Sequence, residues 1–359
     1  MVAAALPLLA VDLTRDPVGI AGVVAAQHLP WVLVHLGWPR LRIDRRTLVG
    51  LVDTVRALML GALGLLAVLG HETLLWIQLT AFVVGLGEAL TDGTESETTD
   101  VSGLSARAMI AMGVVGLPLG GVLFQIFPAT PFLFEVVAFA CAGLFALLVG
   151  RPVRAPEPVD DDDRPEPTVG PGPRVLTASA VIAAFAASAV AGVLVLYAHD
   201  DLGLGAPAFG LLLAGLAGCT AVGGLVAPEF GVRFGVQRGL VVALVLAAAG
   251  HGVASRVADP DRPWLGAVAL GITAGAGMVA AVLTRATLQL HGGRPLTASV
   301  LRPFHLAVWT AIPLGALAGG GIARHASVHQ VLLWAAFGWL AAGAFALVSR
   351  PGTDPEEII

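Results

Sequence analysis

Apolar runs of near-constant length, separated by short polar breaks, recur from one end of this chain to the other. A bilayer core about 30 Å thick takes roughly 20 helical residues to cross. Read for such runs, the sequence gives segments at 2–13, 17–38, 47–69, 73–91, 105–127, 131–150, 175–198, 206–227, 239–257, 264–289, 303–323 and 328–349. The pattern predicts an all-α integral membrane protein with about twelve transmembrane helices. Ala, Val, Leu and Gly dominate the runs, and Gly and Pro interrupt them, as in membrane helices that approach one another closely. The first run is the exception, because residues 1–13 are too few to cross a bilayer. Either the reading frame begins upstream or helix one is truncated, and the sequence allows both.

Two phrases repeat at nearly one offset. Val114-Val115-Gly116-Leu117-Pro118-Leu119-Gly120-Gly121 is echoed by Ala311-Ile312-Pro313-Leu314-Gly315-Ala316-Leu317-Ala318-Gly319-Gly320. Arg46-Thr47-Leu48-Val49 is echoed by Arg238-Gly239-Leu240-Val241. Such echoes indicate two tandem six-helix pseudo-repeats, the plan of many secondary transporters. Between segments six and seven the texture changes to a Pro-rich, acidic stretch containing Asp160–Asp163, which cannot bury a core and reads as a solvated linker. The expected organisation is a six-helix half over 1–150, a cytoplasmic linker over 151–173 and a second six-helix half over 174–359.

Composition sharpens this picture. The chain is 57% hydrophobic, 13% charged and carries a net charge of −5, against about 25% charged residues in soluble domains. No basic patch is interleaved with aromatics, so nucleic acid is not an expected partner. All 20 basic residues are arginine. With both termini cytoplasmic, fifteen of them fall at the inner face, four outside, and Arg56 lies within segment three; this bias fixes the predicted orientation. The protein is expected as a multi-pass component of a bacterial plasma membrane. Cys141 and Cys219 lie in apolar runs and read as small core hydrophobes, with no disulfide framework or metal motif.

Several phrases, taken in order, resemble the major facilitator superfamily, in particular its bacterial drug- and siderophore-exporter branch. Ala25-Ala26-Gln27-His28-Leu29-Pro30-Trp31 resembles that branch's second helix, Val52-Asp53-Thr54-Val55-Arg56-Ala57 its third and Gly85-Leu86-Gly87-Glu88-Ala89-Leu90 its fourth. Val115-Gly116-Leu117-Pro118-Leu119-Gly120-Gly121 is similar to the Gly-Pro-rich fifth-helix motif of exporters. The resemblance covers nearly the whole chain, with departures. Gly37, Arg42, Arg45 and Arg46 match the family's loop between helices two and three, but Leu41 stands where a gate-latching Asp is usual. Leu117 replaces the first proline of the fifth-helix motif, and the loop from Asp92 to Gly103 is short. The resemblance implies a monomeric secondary transporter moving a small-molecule substrate by alternating access, with proton-coupled efflux of a small amphipathic molecule as the leading expectation. A non-transporting relative with a degenerate gate (accessory, binding or catalytic) is the alternative.

Charges in a membrane are costly, about 2.5–3.5 kcal/mol each on insertion scales, and so mark candidate sites. Asp53 and Arg56, three apart on one helix, share a face and are expected to pair. With Glu88, Asp92 and Arg42 they form a candidate cytoplasmic gating and coupling cluster, the alternative being a static pair that eases insertion. Glu135, near the outer end of segment six, is a candidate proton-coupling carboxyl, or else an interfacial glutamate. His28 and His35, seven apart, fall on one helical face and suit either a proton relay or structural hydrogen bonds. Arg285, His305 and Trp309 are candidates for contacting an anionic or aromatic substrate, Arg285 alternatively being a headgroup anchor. Gly116, Pro118, Gly120, Gly121, Pro313 and Gly315 form a candidate flexing motif, since proline removes a backbone hydrogen bond and glycine permits bending or close packing. No metal site, cofactor motif, phosphate-binding loop or hydrolase signature is present in the sequence, and no enzymatic activity is expected.

Overall fold

The computed structural model describes residues 1–37, 45–92, 103–149, 171–292 and 298–349, with side chains undescribed at a few helix ends. These residues form twelve helices: α1 (Val2–Leu13), α2 (Pro17–His35), α3 (Arg45–Leu69), α4 (Leu74–Asp92), α5 (Gly103–Ile126), α6 (Thr130–Val149), α7 (Pro171–Leu196), α8 (Ala206–Phe234), α9 (Val236–Ala254), α10 (Pro263–Gly292), α11 (Ala298–His325) and α12 (Val328–Val348). Among the described residues, nine helices are long and apolar enough to cross a membrane. The helix α1 has 12 residues. Most of the linker expected at 151–173 lies outside the described residues, as do Leu41 and Arg42; α7 begins inside its last three positions.

Helix ends follow local chemistry. Asp16 caps α2, its carboxylate accepting from the backbone N–H of Val18 at 3.4 Å, with Pro17 at the first helical position, where a missing N–H is harmless. Ser327 caps α12 in the same way, through the N–H of Gln330. The sequence placed the end of α8 near residue 227, before Pro228, but the helix runs on through that proline to Phe234. It stops at Gly235, whose φ of +77° is open to glycine at little strain. At α7 the chain widens into a π-type turn over Tyr197–Asp201, where the Tyr197 hydroxyl donates to the Ala254 carbonyl at 2.8 Å and ties α7 to the end of α9.

The packing order repeats. In the first six helices α3 packs on α4 and α6, and α2 on α4; in the last six α9 packs on α10 and α12, and α8 on α10. The two sets meet along two seams, α2 against α11 and α5 against α8. Both seams are built on small residues. A methyl group added at Gly320 would lie 2.7 Å from Ala21 Cβ and 2.8 Å from the Pro17 carbonyl. One added at Gly210 would lie 2.6 Å from the Leu117 carbonyl. Backbones at this separation tolerate only glycine, which explains the Gly-Gly pairs of both repeated phrases. The outer faces of the bundle are apolar and open, as at Leu58, Leu75, Leu225 and Val232, which suits contact with lipid. Cys141 lies on such an outer face rather than in the core, and Cys219 is half-buried.

Candidate functional site

The last six helices enclose a cavity of about 580 Å³. Its space comes from side chains that stop at one carbon. Ala180, Ala183, Ala184, Ala187 and Ala191 fall at three- and four-residue spacing on α7, and face Ala274, Gly277 and Ala281 of α10 across the gap. With the arginine-based orientation, Arg285 of α10 and His305 of α11 stand at its inner end, beside Phe304. Thr220, Thr273 and Thr284 also line it. Each threonine hydroxyl spends its proton on a backbone carbonyl: Thr220 on Leu216 at 2.9 Å, Thr284 on Ala280 at 2.8 Å, and Thr273 between Ala247 of α9 at 3.2 Å and Ala269 of its own helix at 3.3 Å. They therefore turn only lone pairs toward the cavity. The wall is an apolar trunk with acceptors along it and a cation at its inner end.

Beside this inner end, rings close the α2–α11 seam. Trp31 and Trp309 stack at 4.3 Å with planes 8° apart. His28 and His35 flank Trp309 at 6.3 and 6.2 Å, and His35 meets His305 edge-on at 5.7 Å. The Nδ1 atoms of His28 and His35 lie 2.8 and 2.7 Å from the carbonyls of Val24 and Trp31. A carbonyl only accepts, so both imidazoles carry their proton on Nδ1 and keep Nε2 free to take another. Trp309 thus belongs to the seam, Arg285 lines the cavity, and His305 does both.

At the opposite end, charged pairs clasp the two sets of helices. Arg15 Nη1 lies 3.0 Å from Asp200, Arg324 Nε 3.4 Å from Asp16, and within the last six helices His329 Nε2 3.3 Å from Asp201. These groups are partly exposed, so the pairs are individually weak. Their value lies in closing one end while small-residue contacts close the seams below. This clasp was not anticipated from sequence. Its signal was an excess of charge at loop ends (Arg15-Asp16, His199-Asp200-Asp201, Arg324), but partners so distant in sequence only the fold brings together.

The other predicted residues are distributed as follows. Asp53 and Arg56 pair at 3.4 Å and both are buried. Arg56 also donates to the Val84 carbonyl at 3.0 Å and lies over the Phe139 ring at 5.2 Å. Its guanidinium fills the space left by Gly87. This group ties α3 to α4 and α6, away from the cavity of the last six helices. Glu88 is half-buried on α4, one position beyond Gly87. The side chain of Asp92 and all of Arg42 lie outside the described residues, so their part of the expected cluster is untraced. Glu135 pairs with the backbone nitrogen of Met1 at 3.1 Å. Pro118 and Pro313 sit within continuous helices α5 and α11. Gly121 packs against Ala206 of α8, Gly315 against Phe185 and Ser188 of α7, and Gly116 and Gly120 face Met1.

No protein-family model matches the chain, and no curated protein matches it. The fold, in contrast, is well represented among solved structures. A bacterial homologue of the human lysosomal transporter Spinster, in an inward-facing and occupied conformation, superposes with a TM-score of 0.65 at 16% identity, over 97% of this chain and 92% of the other. An inward-facing bacterial homologue of the iron transporter ferroportin gives 0.67 at 14% identity, over 97% and 96%. The nucleoside transporter NupG gives 0.66 at 11% identity, over 97% and 93%. The chain therefore has the major-facilitator fold that the sequence resemblance implied.

Proposed function

We propose that this protein is a secondary active transporter of the plasma membrane, moving a small amphipathic molecule outward by alternating access and drawing on the proton gradient. Residues 1–150 and 174–359 are its two rocking halves. The observation that carries this reading is the asymmetry of the site: a closed outer end, clasped by Arg15–Asp200 and Asp16–Arg324, above a cavity with Arg285 and His305 toward its inner end. A substrate held there leaves outward only when the clasp opens, and the two glycine-lined seams are the surfaces along which the halves slide. Arg285 is the counter-charge for an anionic head. The alanine face of α7 receives an apolar body, and the threonine lone pairs receive its donors.

Protons enter this scheme through the imidazoles that meet at the α2–α11 seam. His28 and His35 on α2 and His305 on α11 meet across one seam, where added positive charge repels between the halves and bears on Arg285. Glu88 and Glu135 are the carboxyls through which coupling is extended, and Asp53–Arg56 holds the first half rigid as it moves.

The test is flux in proteoliposomes carrying the full chain, with a panel of amphipathic dyes and carboxylates and an imposed proton gradient. Gradient-driven flux that Arg285→Gln weakens chiefly through a raised KM supports the reading. Folded protein that carries none of the panel in either direction, with or without the gradient, favours a non-transporting membrane protein.

A further inference from the structure

Two polar atoms at the closed end of the cavity have no role in holding the fold. His251 of α9 and Trp339 of α12 both border the cavity, and are 3% and 5% exposed. Neither His251 Nδ1 nor Trp339 Nε1 has a hydrogen-bond partner. Their rings lie 6.3 Å apart at 33°, and Trp339 packs against α10 where Gly277 leaves room, a methyl there falling 3.2 Å from its Cη2. An unpartnered buried polar group is a liability that packing alone would replace with Phe or Leu. Two of them side by side, on residues that line a cavity whose wall also carries a cation, call for a ligand.

We propose that His251 and Trp339 form a polar subsite that captures a hydroxyl or carbonyl at the far end of an amphipathic anion whose charged head lies at Arg285. The proposal rests on the transport reading of this cavity and names its substrate class. The indole N–H only donates, so it needs an oxygen acceptor. The imidazole nitrogen beside it takes the proton of a hydroxyl, or donates to a carbonyl in its other tautomer. A terminal methyl group satisfies neither. Along α10, Thr273 and Arg285 are twelve residues apart, a rise of about 18 Å, and the alanine-lined trunk between them has the length and polarity of an alkyl chain. The expected ligand thus has three parts: an anionic head, an apolar chain of roughly ten to fourteen carbons and an oxygen at or near the tip.

The experiment compares binding of dodecanoate and 12-hydroxydodecanoate to the full chain in lipid nanodiscs, by calorimetry. Wild-type protein is expected to bind the hydroxy acid about tenfold more tightly, the worth of one good hydrogen bond made in a dry site. Trp339→Phe and His251→Leu, tested separately, are expected to equalise the two acids while the ligand-free melting temperature holds or rises. Equal affinities in the wild type, no binding of either acid, or a preference that survives in either folded variant would each overturn the proposal. Should neither variant fold, 6-hydroxydodecanoate decides on wild-type protein: the preference must vanish when the oxygen moves to mid-chain, and its persistence counts against a tip subsite. Binding is read without a gradient, so the transport reading fails independently: tip preference without flux removes the transporter and leaves the subsite.

Discussion

Replacing Arg56 separates a structural ion pair from a moving gate. In the structure Arg56 and Asp53 are each 7% exposed, pair at 3.4 Å, and are held by the Val84 carbonyl and the Phe139 ring. Arg56→Met keeps most of the stem but strands the Asp53 carboxylate in the bundle, a change that costs about 3–5 kcal/mol in buried pairs. Loss of the cation–π contact adds about 0.5–2 kcal/mol. Replacing both, as Asp53→Leu with Arg56→Met, removes the stranded charge and is expected to come within about 1 kcal/mol of wild type, or to exceed it. The double-mutant cycle should therefore return a coupling of at least about 2 kcal/mol. Unfolding in mixed micelles of increasing SDS fraction reads the stabilities, and flux in proteoliposomes reads the function. A static pair requires the double variant to be stable and to transport. Two results would refute this reasoning: an Arg56→Met protein as stable as wild type, or a stable double variant without flux. The second would make the pair part of the gate.

Filling the cavity should block transport without unfolding the bundle: Ala184→Leu or Ala187→Leu, on the α7 face of a 580 Å³ space, is expected to cut the maximal flux at least tenfold while the melting temperature changes little. Gly210→Val, by contrast, drives a side chain into the Leu117 carbonyl, since even its Cβ would lie 2.6 Å away. It should destabilise by about 1–3 kcal/mol, as over-packing does, measured as a lowered midpoint in SDS unfolding. Trp31→Ala removes the partner stacked at 4.3 Å on Trp309; losing a buried aromatic costs about 3–5 kcal/mol where it is fully enclosed, and less here because the seam is partly open. Its inner end should then label faster, read with a maleimide at an engineered seam cysteine.

The architecture was legible because a membrane helix leaves a coarse signature: length and hydrophobicity place each segment without any tertiary knowledge. Thus α3 and α12 match their expected spans closely. The end of α8 was misplaced because Pro228 reads as a break, whereas the helix absorbs it and stops only where Gly235 turns. The site was partly legible. Arg285 and His305 stood out as ionisable groups in apolar runs, and the structure puts both on the cavity. Trp309 was grouped with them because it lies one turn on from His305; the structure puts it in the α2–α11 seam, which His305 also reaches. His251 and Trp339 gave no sequence signal, since a lone His and a lone Trp in apolar helices are ordinary. Only the absence of a partner for each, a property of packing, sets them apart. The cavity itself was equally hidden, because alanines facing one another across two helices look in sequence like alanines anywhere in the bundle.

The central claim is that the outer clasp must open for substrate to leave. The most direct measurement is a reversible cross-link at that clasp: Asp16→Cys with Arg324→Cys, in a chain whose Cys141 and Cys219 are changed to Ala, reconstituted and assayed for gradient-driven flux. The native contact spans most of an arginine side chain, Arg324 Nε lying 3.4 Å from the Asp16 carboxylate. A direct disulfide needs Cβ atoms about 4 Å apart, so a reducible bis-methanethiosulfonate reagent is used to join the two thiols. The account expects flux to stop when the cross-link forms and to return when it is reduced. Undiminished flux from fully cross-linked protein would contradict it.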